Sequence, residues 1–385
     1  MKFTYSHIPS PNIRSLFVIL GCFIILIGGC SHTKPWYGQR ITESQKNVSY
    51  QGENSTDHMK EVDYRVLLIG DAGDPFDKNG QFKDAVFKSL EAWAKTAPEK
   101  TAIIFLGDNI YPDGLTKARL QDAVRKLRPQ VNVVSASRAK GIFIPGNHDW
   151  DHHNPDHRER TDAILAQADS VNAWLGTVDS FQPMEGEVGP ARIDLPKKNP
   201  IVRVVVLDTQ EWLQRHAQDS VFHQEIIDKI KMAVDTDLHV IVAAHHPLLT
   251  RGRHNSWFTH TPLFGSEQDI PHPKNKMLRQ RIESALRKDL IYAAGHDHNL
   301  QVFEGKINQP KYLLVSGAGS KPKLTRVWHD SQNMLFAHQH TGFMVVDFMH
   351  NAKAVLRIIE PDINDQSVQI NIGQEPSVFM QPIQY

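Results

Sequence analysis

Residues that bind metals and carry protons occur in five short groups, and each group follows an apolar run. The groups are Gly70-Asp71-Ala72-Gly73, Gly107-Asp108-Asn109-Ile110-Tyr111, Gly146-Asn147-His148-Asp149, Ala244-His245-His246-Pro247 and Gly295-His296-Asp297-His298-Asn299. Carboxylate, amide, phenol and imidazole groups form a hard to borderline set of metal ligands, and none of them is a thiolate. Histidine also carries protons near neutral pH. These residue types favour a metal centre that supports proton transfer.

Taken one at a time, the groups permit simpler interpretations. Asp71 also fits a turn or a helix N-cap, and Asn147-His148-Asp149 also fits a polar turn. His296 and His298 lie two residues apart, so they project to the same side of an extended segment. Because all five groups are present, each directly after an apolar run, we interpret them as parts of one site.

The apolar runs are predicted strands, and they must position the groups. The five lie at 64–69, 102–106, 141–145, 240–244 and 290–294, and further strands are predicted at 202–207, 311–315 and 342–347. Helical spacing of apolar residues predicts helices at 82–95, 160–175, 221–234 and 276–288. This alternation indicates a layered α/β fold. Ligands of such folds bind beyond the carboxyl ends of the strands, so the five groups are expected to converge.

The composition is that of an ordinary globular protein, because 40% of the 385 residues are apolar and 22% are charged. Lys+Arg and Asp+Glu both number 43, so bulk charge does not indicate a nucleic acid partner. We divide the chain into a lipoprotein signal peptide (1–29), a polar tether (30–61), one large domain (62–360) and a C-terminal tail (361–385). These features predict no particular oligomeric state.

The N-terminus has the pattern of a secretion signal. Lys2 and Arg14 precede an apolar run at 16–27 that is short for a membrane span. The run ends in Ile27-Gly28-Gly29-Cys30, which resembles a bacterial lipobox with Cys30 as the acylated residue. An uncleaved anchor and an ordinary signal peptide are the alternatives. We therefore expect an extracytoplasmic lipoprotein of the bacterial outer membrane or cell surface, attached to the membrane by its N-terminal lipid.

The order and identity of the five groups resemble the calcineurin-like metallophosphoesterases, over Asp71 to Asn299. Most of that superfamily has a histidine two residues after the first aspartate, whereas this chain has Gly73 there and Tyr111 three residues after Asp108. That pairing is similar to the purple acid phosphatases, as are the segments 207–209, 298–301 and 316–319. The resemblance implies a four-layer αββα sandwich for the metallophosphoesterase domain.

The resemblance also implies a ligand set for two metal ions. Asp71, Tyr111 and His298 would bind Fe(III), Asp108 would bridge, and Asn147, His245 and His296 would bind Zn, Mn or Fe(II). The phenol chemistry agrees, because tyrosine has a pKa near 10 and ligates at neutral pH only where a strong Lewis acid displaces its proton. The alternative for Tyr111 is a packing role beside the site.

Further histidines and arginines take expected roles from the same resemblance. His148 would be the proton donor to the leaving group, and His254, nine residues after His245, the second catalytic histidine. His246, which stands where the family commonly has tyrosine, is expected either to line the phosphate pocket or to pack. Arg251 and Arg253 are candidate substrate-binding residues, with a plain surface position as the alternative. The histidine-rich segment 149–157 permits a third metal site, but a solvated loop is the preferred interpretation.

The expected activity is hydrolysis of small phosphomonoesters by a hydroxide bound to the two metal ions, as in the acid phosphatases. Hydrolysis of phosphodiesters or nucleotides by the same metals is one alternative. A second alternative is a surface receptor or adhesin whose metal ions only stabilise the fold. His148 argues against this alternative, because a structural metal site needs no proton donor.

Overall fold

The computed structural model describes residues 34–41, 46, 48–49, 54–83, 85–215, 220–255, 269–320, 323–328, 333–351, 353–361 and 366–371. The predicted signal peptide (1–29) and Cys30 lie outside the described residues, as does most of the predicted C-terminal tail. In the described part of the chain, no helix is both long and apolar enough to cross a membrane.

Fifteen described strands form two sheets. They are β1 (Trp36–Tyr37), β2 (Val48–Ser49), β3 (Val62–Ile69), β4 (Thr101–Phe105), β5 (Lys140–Phe143), β6 (Ala191–Leu195), β7 (Val202–Leu207), β8 (His239–Ala244), β9 (Ile291–Ala294), β10 (Leu300–Glu304), β11 (Tyr312–Ser316), β12 (Met334–His338), β13 (Phe343–Met349), β14 (Ala354–Ile359) and β15 (Gln366–Asn371). One sheet has the order β1-β12-β10-β11-β9-β8-β7-β6, and the other β2-β15-β14-β13-β3-β4-β5. The strands that precede the five groups run parallel to one another within each sheet: β3, β4 and β5 in one, β8 and β9 in the other.

The helices lie on the outer faces of the sheets. They are α1 (Ala85–Lys95), α2 (Leu120–Ser137), α3 (His157–Leu175), α4 (Thr209–Arg215), α5 (Ser220–Val234) and α6 (Lys276–Ala285), with short 3-10 turns at His58–Lys60, Pro98–Lys100, Lys117–Arg119, Met184–Gly186, Arg253–Asn255 and Pro273–Asn275. Asp156 caps the N-terminus of helix α3, where its side chain accepts a hydrogen bond from the Arg158 N–H, and Gly176 caps the C-terminus in the left-handed conformation.

The alternation of side chains along each strand produces the layers. In β3, Val66 and Leu68 face the core between the two sheets, whereas Leu67 and Ile69 face the core beneath helices α1 and α2. In the other sheet, β7 divides its side chains in the same way between the central core and the core beneath α5 and α6. Each fully buried valine or leucine stabilises the fold by about 1.5–3 kcal/mol. The layers therefore run helix, sheet, sheet, helix, which confirms the predicted four-layer αββα sandwich.

The structure differs from the sequence prediction at both ends of the domain. Trp36–Tyr37 and Val48–Ser49 lie in the predicted tether, yet they pair with β12 and β15 at the sheet edges. β15 lies in the predicted tail and pairs with β14. Its sequence alternates polar and apolar residues, which is the pattern of a half-buried strand. Short edge strands thus extend the folded domain beyond 62–360.

Candidate metal centre

Three of the predicted ligands converge at the carboxyl ends of β3 and β4 and in the loop after β9. The Tyr111 Oη lies 2.7 Å from Asp71 Oδ1 and 3.1 Å from His298 Nε2. His298 Nε2 lies 3.3 Å from the same Asp71 oxygen. The three atoms form a triangle of oxygen and nitrogen donors, and Asp71 and Tyr111 are buried. This triangle is the set assigned above to the ferric ion.

A second triangle joins Asn147, His245 and His296. The Asn147 Oδ1 lies 3.0 Å from His245 Nε2 and 3.1 Å from His296 Nδ1, and the two imidazole nitrogens are 3.1 Å apart. The other nitrogen of His245, Nδ1, lies 2.9 Å from the carbonyl oxygen of Leu106. Because Nδ1 donates to that carbonyl, Nε2 keeps its lone pair for a metal ion.

Asp108 lies between the two triangles. Its Oδ1 is 3.4 Å from His245 Nε2, and Asp71, Asp108 and His245 present ligand atoms that all lie within 4.8 Å of one another. The two triangles are also tied through the backbone, since the His296 N–H donates to Asp71 Oδ2 at 2.7 Å. Asp108, the residue expected to bridge, therefore lies near ligand atoms of both triangles.

The backbone reaches this geometry through tight turns after the strands. Asp71, Asp108 and His296 have positive φ angles of 57°, 54° and 71°. Such left-handed conformations are uncommon for residues other than glycine and are often found at functional sites. At Gly146, a Cβ atom would lie 2.3 Å from Asp108 Oδ1, so only glycine lets the Asn147 loop approach the Asp108 carboxylate this closely.

The donor atoms fit metal ions of ordinary coordination geometry. Metal–nitrogen and metal–oxygen bonds of about 2.0–2.2 Å at right angles place neighbouring ligand atoms about 3 Å apart. The sides of both triangles are close to this length, from 2.7 to 3.3 Å in the first and from 3.0 to 3.1 Å in the second. The seven residues can therefore hold two metal ions without rearrangement.

A comparison with family models identifies the family of this chain. Residues 64–300, more than half of the chain, match the family model of the calcineurin-like phosphoesterases. The chain belongs to the calcineurin-like phosphoesterase family. A search of curated proteins finds no match.

Several solved structures are similar to this chain. A purple acid phosphatase, PPD1 from seeds of yellow lupin (Lupinus luteus), is 14% identical over 80% of this chain and 53% of its own, with a TM-score of 0.52. A dimetal phosphatase from Danio rerio is 12% identical (81% and 99% covered, TM-score 0.44), and PhoD is 11% identical (80% and 68% covered, TM-score 0.47). The chain spans about half the length of the lupin protein, and that likeness concerns the fold.

Gly73 packs closely against the backbone of the loop that carries Asp108. A Cβ atom at this position would lie 2.4 Å from the Asn109 carbonyl carbon and 2.5 Å from the Ile110 nitrogen. A histidine at position 73 would therefore clash with the backbone of the Asp108 loop. The same loop carries Tyr111, whose hydroxyl donates to Asp71 Oδ1 at 2.7 Å.

The ionisable groups of the predicted ligand set shift one another's pKa values. Burial by itself would raise the pKa of the Asp108 carboxyl, but the imidazoles of His245 and His148 hold it well below its usual range. Burial, together with the carboxylates of Asp108 and Asp71, raises the pKa of the Tyr111 phenol well above 10. Tyr111 is thus a hydroxyl donor to Asp71 here, and it becomes a phenolate only beside a cation of high charge.

His148 stands beside the ligands and not among them. Its Nδ1 lies 2.6 Å from the Pro112 carbonyl oxygen, to which it donates, and its backbone N–H donates to Asp108 Oδ1 at 2.9 Å. Its half-buried ring lies 4.4 Å from the ring of Tyr111. These contacts leave Nε2 as the nitrogen available to a substrate.

His254 approaches the opposite side of the centre. Its ring centroid lies 3.8 Å from that of His296. Its Nδ1 lies 3.1 Å from Asp269 Oδ1, and its backbone N–H points to Asp297 Oδ1 at 3.3 Å. Burial alone would lower the pKa of His254, but the carboxylates of Asp269 and Asp297 raise it to about 9. The two carboxylates therefore favour the protonated, cationic form of His254.

The predicted substrate-binding residues occupy different environments. His246 is fully buried, with Nδ1 2.9 Å from the Thr209 hydroxyl, and burial and the neighbouring His296 lower its pKa well below 6.5. Arg251 is half-buried and Arg253 is exposed, on either side of Gly252 in the His254 loop. The structure thus places His246 at the metal centre and the two arginines in the loop that carries His254.

Segment 149–157 does not converge as a third metal site within the described residues. Asp149 turns inward, where it accepts hydrogen bonds from the Gly146 and Asn109 backbone N–H groups at 2.8 and 3.1 Å and from Gln167 at 3.1 Å. His153 is exposed. Asp149 therefore fastens the Asp108 loop to the Asn147 loop, a role that its sequence position did not indicate.

Asp269 is a site residue that the sequence did not predict. It is buried, and its Oδ1 lies 2.6 Å from His296 Nε2 as well as 3.1 Å from His254. It follows segment 255–268, in which no strand is predicted, so the strand-end pattern that identified the other ligands did not extend to it.

Proposed function

We propose that the protein is an extracytoplasmic phosphatase that hydrolyses small phosphomonoesters with two metal ions. The observation that supports this proposal is the pair of ligand triangles around Asp108, with His148 beside them and outside both. A structural two-metal site needs both ligand triangles, but it does not need a proton donor.

The metal ligands, His148 and His254 have different proposed roles in hydrolysis. When bound, two metal ions would supply Lewis acidity, which lowers the pKa of a water near them and offsets the charge of a phosphate group. The buried carboxylate and imidazole ligands hold those ions in a pocket that favours strong electrostatic interactions. His148 directs Nε2 outward and protonates the leaving oxygen, while the cationic His254 attracts the phosphate oxygens from the other side.

Substrate class is tested by comparing rates on p-nitrophenyl phosphate, bis(p-nitrophenyl) phosphate and a set of nucleotides. The monoester is expected to give the highest kcat/KM, because His148 and His254 flank one exposed phosphate group. A strong preference for the diester would instead support the phosphodiesterase alternative. Full metal content without turnover on any ester would support the non-catalytic alternative.

We propose Fe(III) as the ion of the Asp71, Tyr111 and His298 triangle, with Zn, Mn or Fe(II) in the second triangle. The support is the phenol donor, since a phenolate at neutral pH requires a strongly charged ion. Native protein is expected to show a broad visible charge-transfer band, and Tyr111→Phe is expected to lose that band while keeping its fold. An iron-loaded wild type without colour would contradict the assignment.

We also propose that acylation of Cys30 attaches the enzyme to the outer membrane or cell surface. The support is the lipobox-like ending of the apolar run at 16–27. Cys30→Ser is expected to move the protein from the membrane fraction to the soluble fraction, and unchanged membrane association of that variant would contradict the proposal.

A further inference from the structure

We propose that Asp269 is a positioning residue that fixes His296 on the divalent metal ion and His254 over the substrate. The inference rests on the proposed two-metal function and extends it to a residue outside the ligand set. One oxygen, Asp269 Oδ1, receives both contacts, from His296 Nε2 at 2.6 Å and from His254 Nδ1 at 3.1 Å.

The contact with His296 determines which nitrogen faces the metal. His296 Nδ1 belongs to the second ligand triangle, so its proton must be on Nε2 for the ring to bind an ion as a neutral imidazole. Asp269 accepts that proton at 2.6 Å. A carboxylate in this place holds the ring orientation and increases the basicity of Nδ1, and loss of such a partner commonly lowers metal affinity 10- to 100-fold.

The contact with His254 orients a second ring through the same carboxylate. Because His254 Nδ1 donates to Asp269, its Nε2 is the nitrogen left for the phosphate. The two rings are also in contact, with centroids 3.8 Å apart and ring planes inclined by 42°, so their positions are coupled. Asp269 therefore connects the metal site and the substrate site through hydrogen bonds of fixed direction.

A separate metal ion held by His246, Asp269 and His296 is the competing explanation, because their ligand atoms lie within 4.8 Å of one another. The hydrogen bond from His296 Nε2 to Asp269 argues against such an ion. His296 uses Nδ1 in the second triangle and carries its proton on Nε2, so no lone pair remains on this ring for a further ion.

The test compares Asp269→Asn and Asp269→Ala with wild-type protein. Zinc affinity at the second triangle is measured by chelator competition, with the visible band as a readout of the other triangle. Both variants are expected to bind zinc about 10- to 100-fold more weakly, with Ala the weaker. The visible band is expected to stay unchanged, because Asp269 contacts neither Tyr111 nor Asp71. Asp269→Asn has nearly the shape of the native side chain, so it provides the measurement if Asp269→Ala does not fold.

Glu360→Gln is the matched control. Glu360 and His338 form a buried carboxylate–histidine pair at 2.5 Å, and neither is among the seven ligands. This variant is expected to keep wild-type zinc affinity, although it loses a pair of the same kind.

Two outcomes would overturn the proposal. One is zinc affinity within about threefold of wild type in both Asp269 variants, well short of the expected loss. The other is a third bound ion that Asp269→Ala removes while two ions stay bound at wild-type affinity. Metal binding is measured without turnover, so a failure of the phosphatase proposal would appear separately as normal metal affinity without ester hydrolysis.

Discussion

Replacing His148 by alanine is expected to lower kcat about 10²- to 10⁴-fold, the usual contribution of a positioned general acid, while metal content stays at the wild-type level. The reason is that His148 donates Nδ1 to the Pro112 carbonyl and so presents Nε2 to the leaving oxygen, without being a ligand itself. The loss is expected to be larger for alkyl phosphates than for p-nitrophenyl phosphate. An alkoxide needs a proton to leave, whereas p-nitrophenolate is stable without one.

Two further variants separate proton transfer from loop structure. His148→Asn keeps a side-chain N–H for the Pro112 carbonyl but carries no transferable proton, so its kcat is expected to fall nearly as far. His153→Ala removes an exposed imidazole from the same loop and is expected to remain close to wild type. Equal losses for alkyl and p-nitrophenyl esters in His148→Ala would show that the residue does not protonate the leaving group.

The sequence could predict the strands that carry the site because those strands are buried on both faces. A run such as 240–244 is continuously apolar, and β8 spans His239–Ala244 in the structure. The parallel arrangement then places the strand ends at one edge, which is why Asp71, Asp108 and Asn147 meet although they are separated in sequence. The layered fold and the clustering of ligands both follow from this one pattern.

Elements whose local sequence signals conflict, or that have no local signal, could not be predicted. Helix α2 has apolar residues at helical spacing, but Pro129 within it is ordinarily read as a helix end. Here the helix continues through Pro129 with Gln130 and Val131 buried on its inner face, so tertiary packing outweighs the local preference. Asp269 was missed for a related reason, because its role depends on contacts with His254 and His296 that no local pattern records.

Far from the metal centre, replacing Asp347 by alanine is expected to lower the free energy of unfolding by about 3–5 kcal/mol. Asp347 is fully buried and accepts from Arg65 at 2.6 and 2.9 Å and from Arg357 at 2.7 Å. Burial alone would raise the pKa of Asp347, but the guanidinium of Arg65 and the other cationic groups hold it well below its usual range. Without this carboxylate, two buried guanidinium groups lose the anion that they share.

The pair of Arg203 and Asp194 provides a control of the same geometry in a more exposed place. Its contacts are also 2.6 and 2.9 Å, but Asp194 has 33% of its side chain exposed. Asp194→Ala is therefore expected to cost only about 0–1 kcal/mol in urea unfolding.

Because the folded pKa of Asp347 is depressed, its contribution to the free energy of unfolding is complete above the unfolded carboxyl pKa of about 4 and is lost as the pH falls below it. The difference in the free energy of unfolding between wild type and Asp347→Ala should accordingly shrink in acid. If Asp347→Ala and Asp194→Ala lose similar amounts of unfolding free energy at neutral pH, burial does not strengthen the Asp347 network.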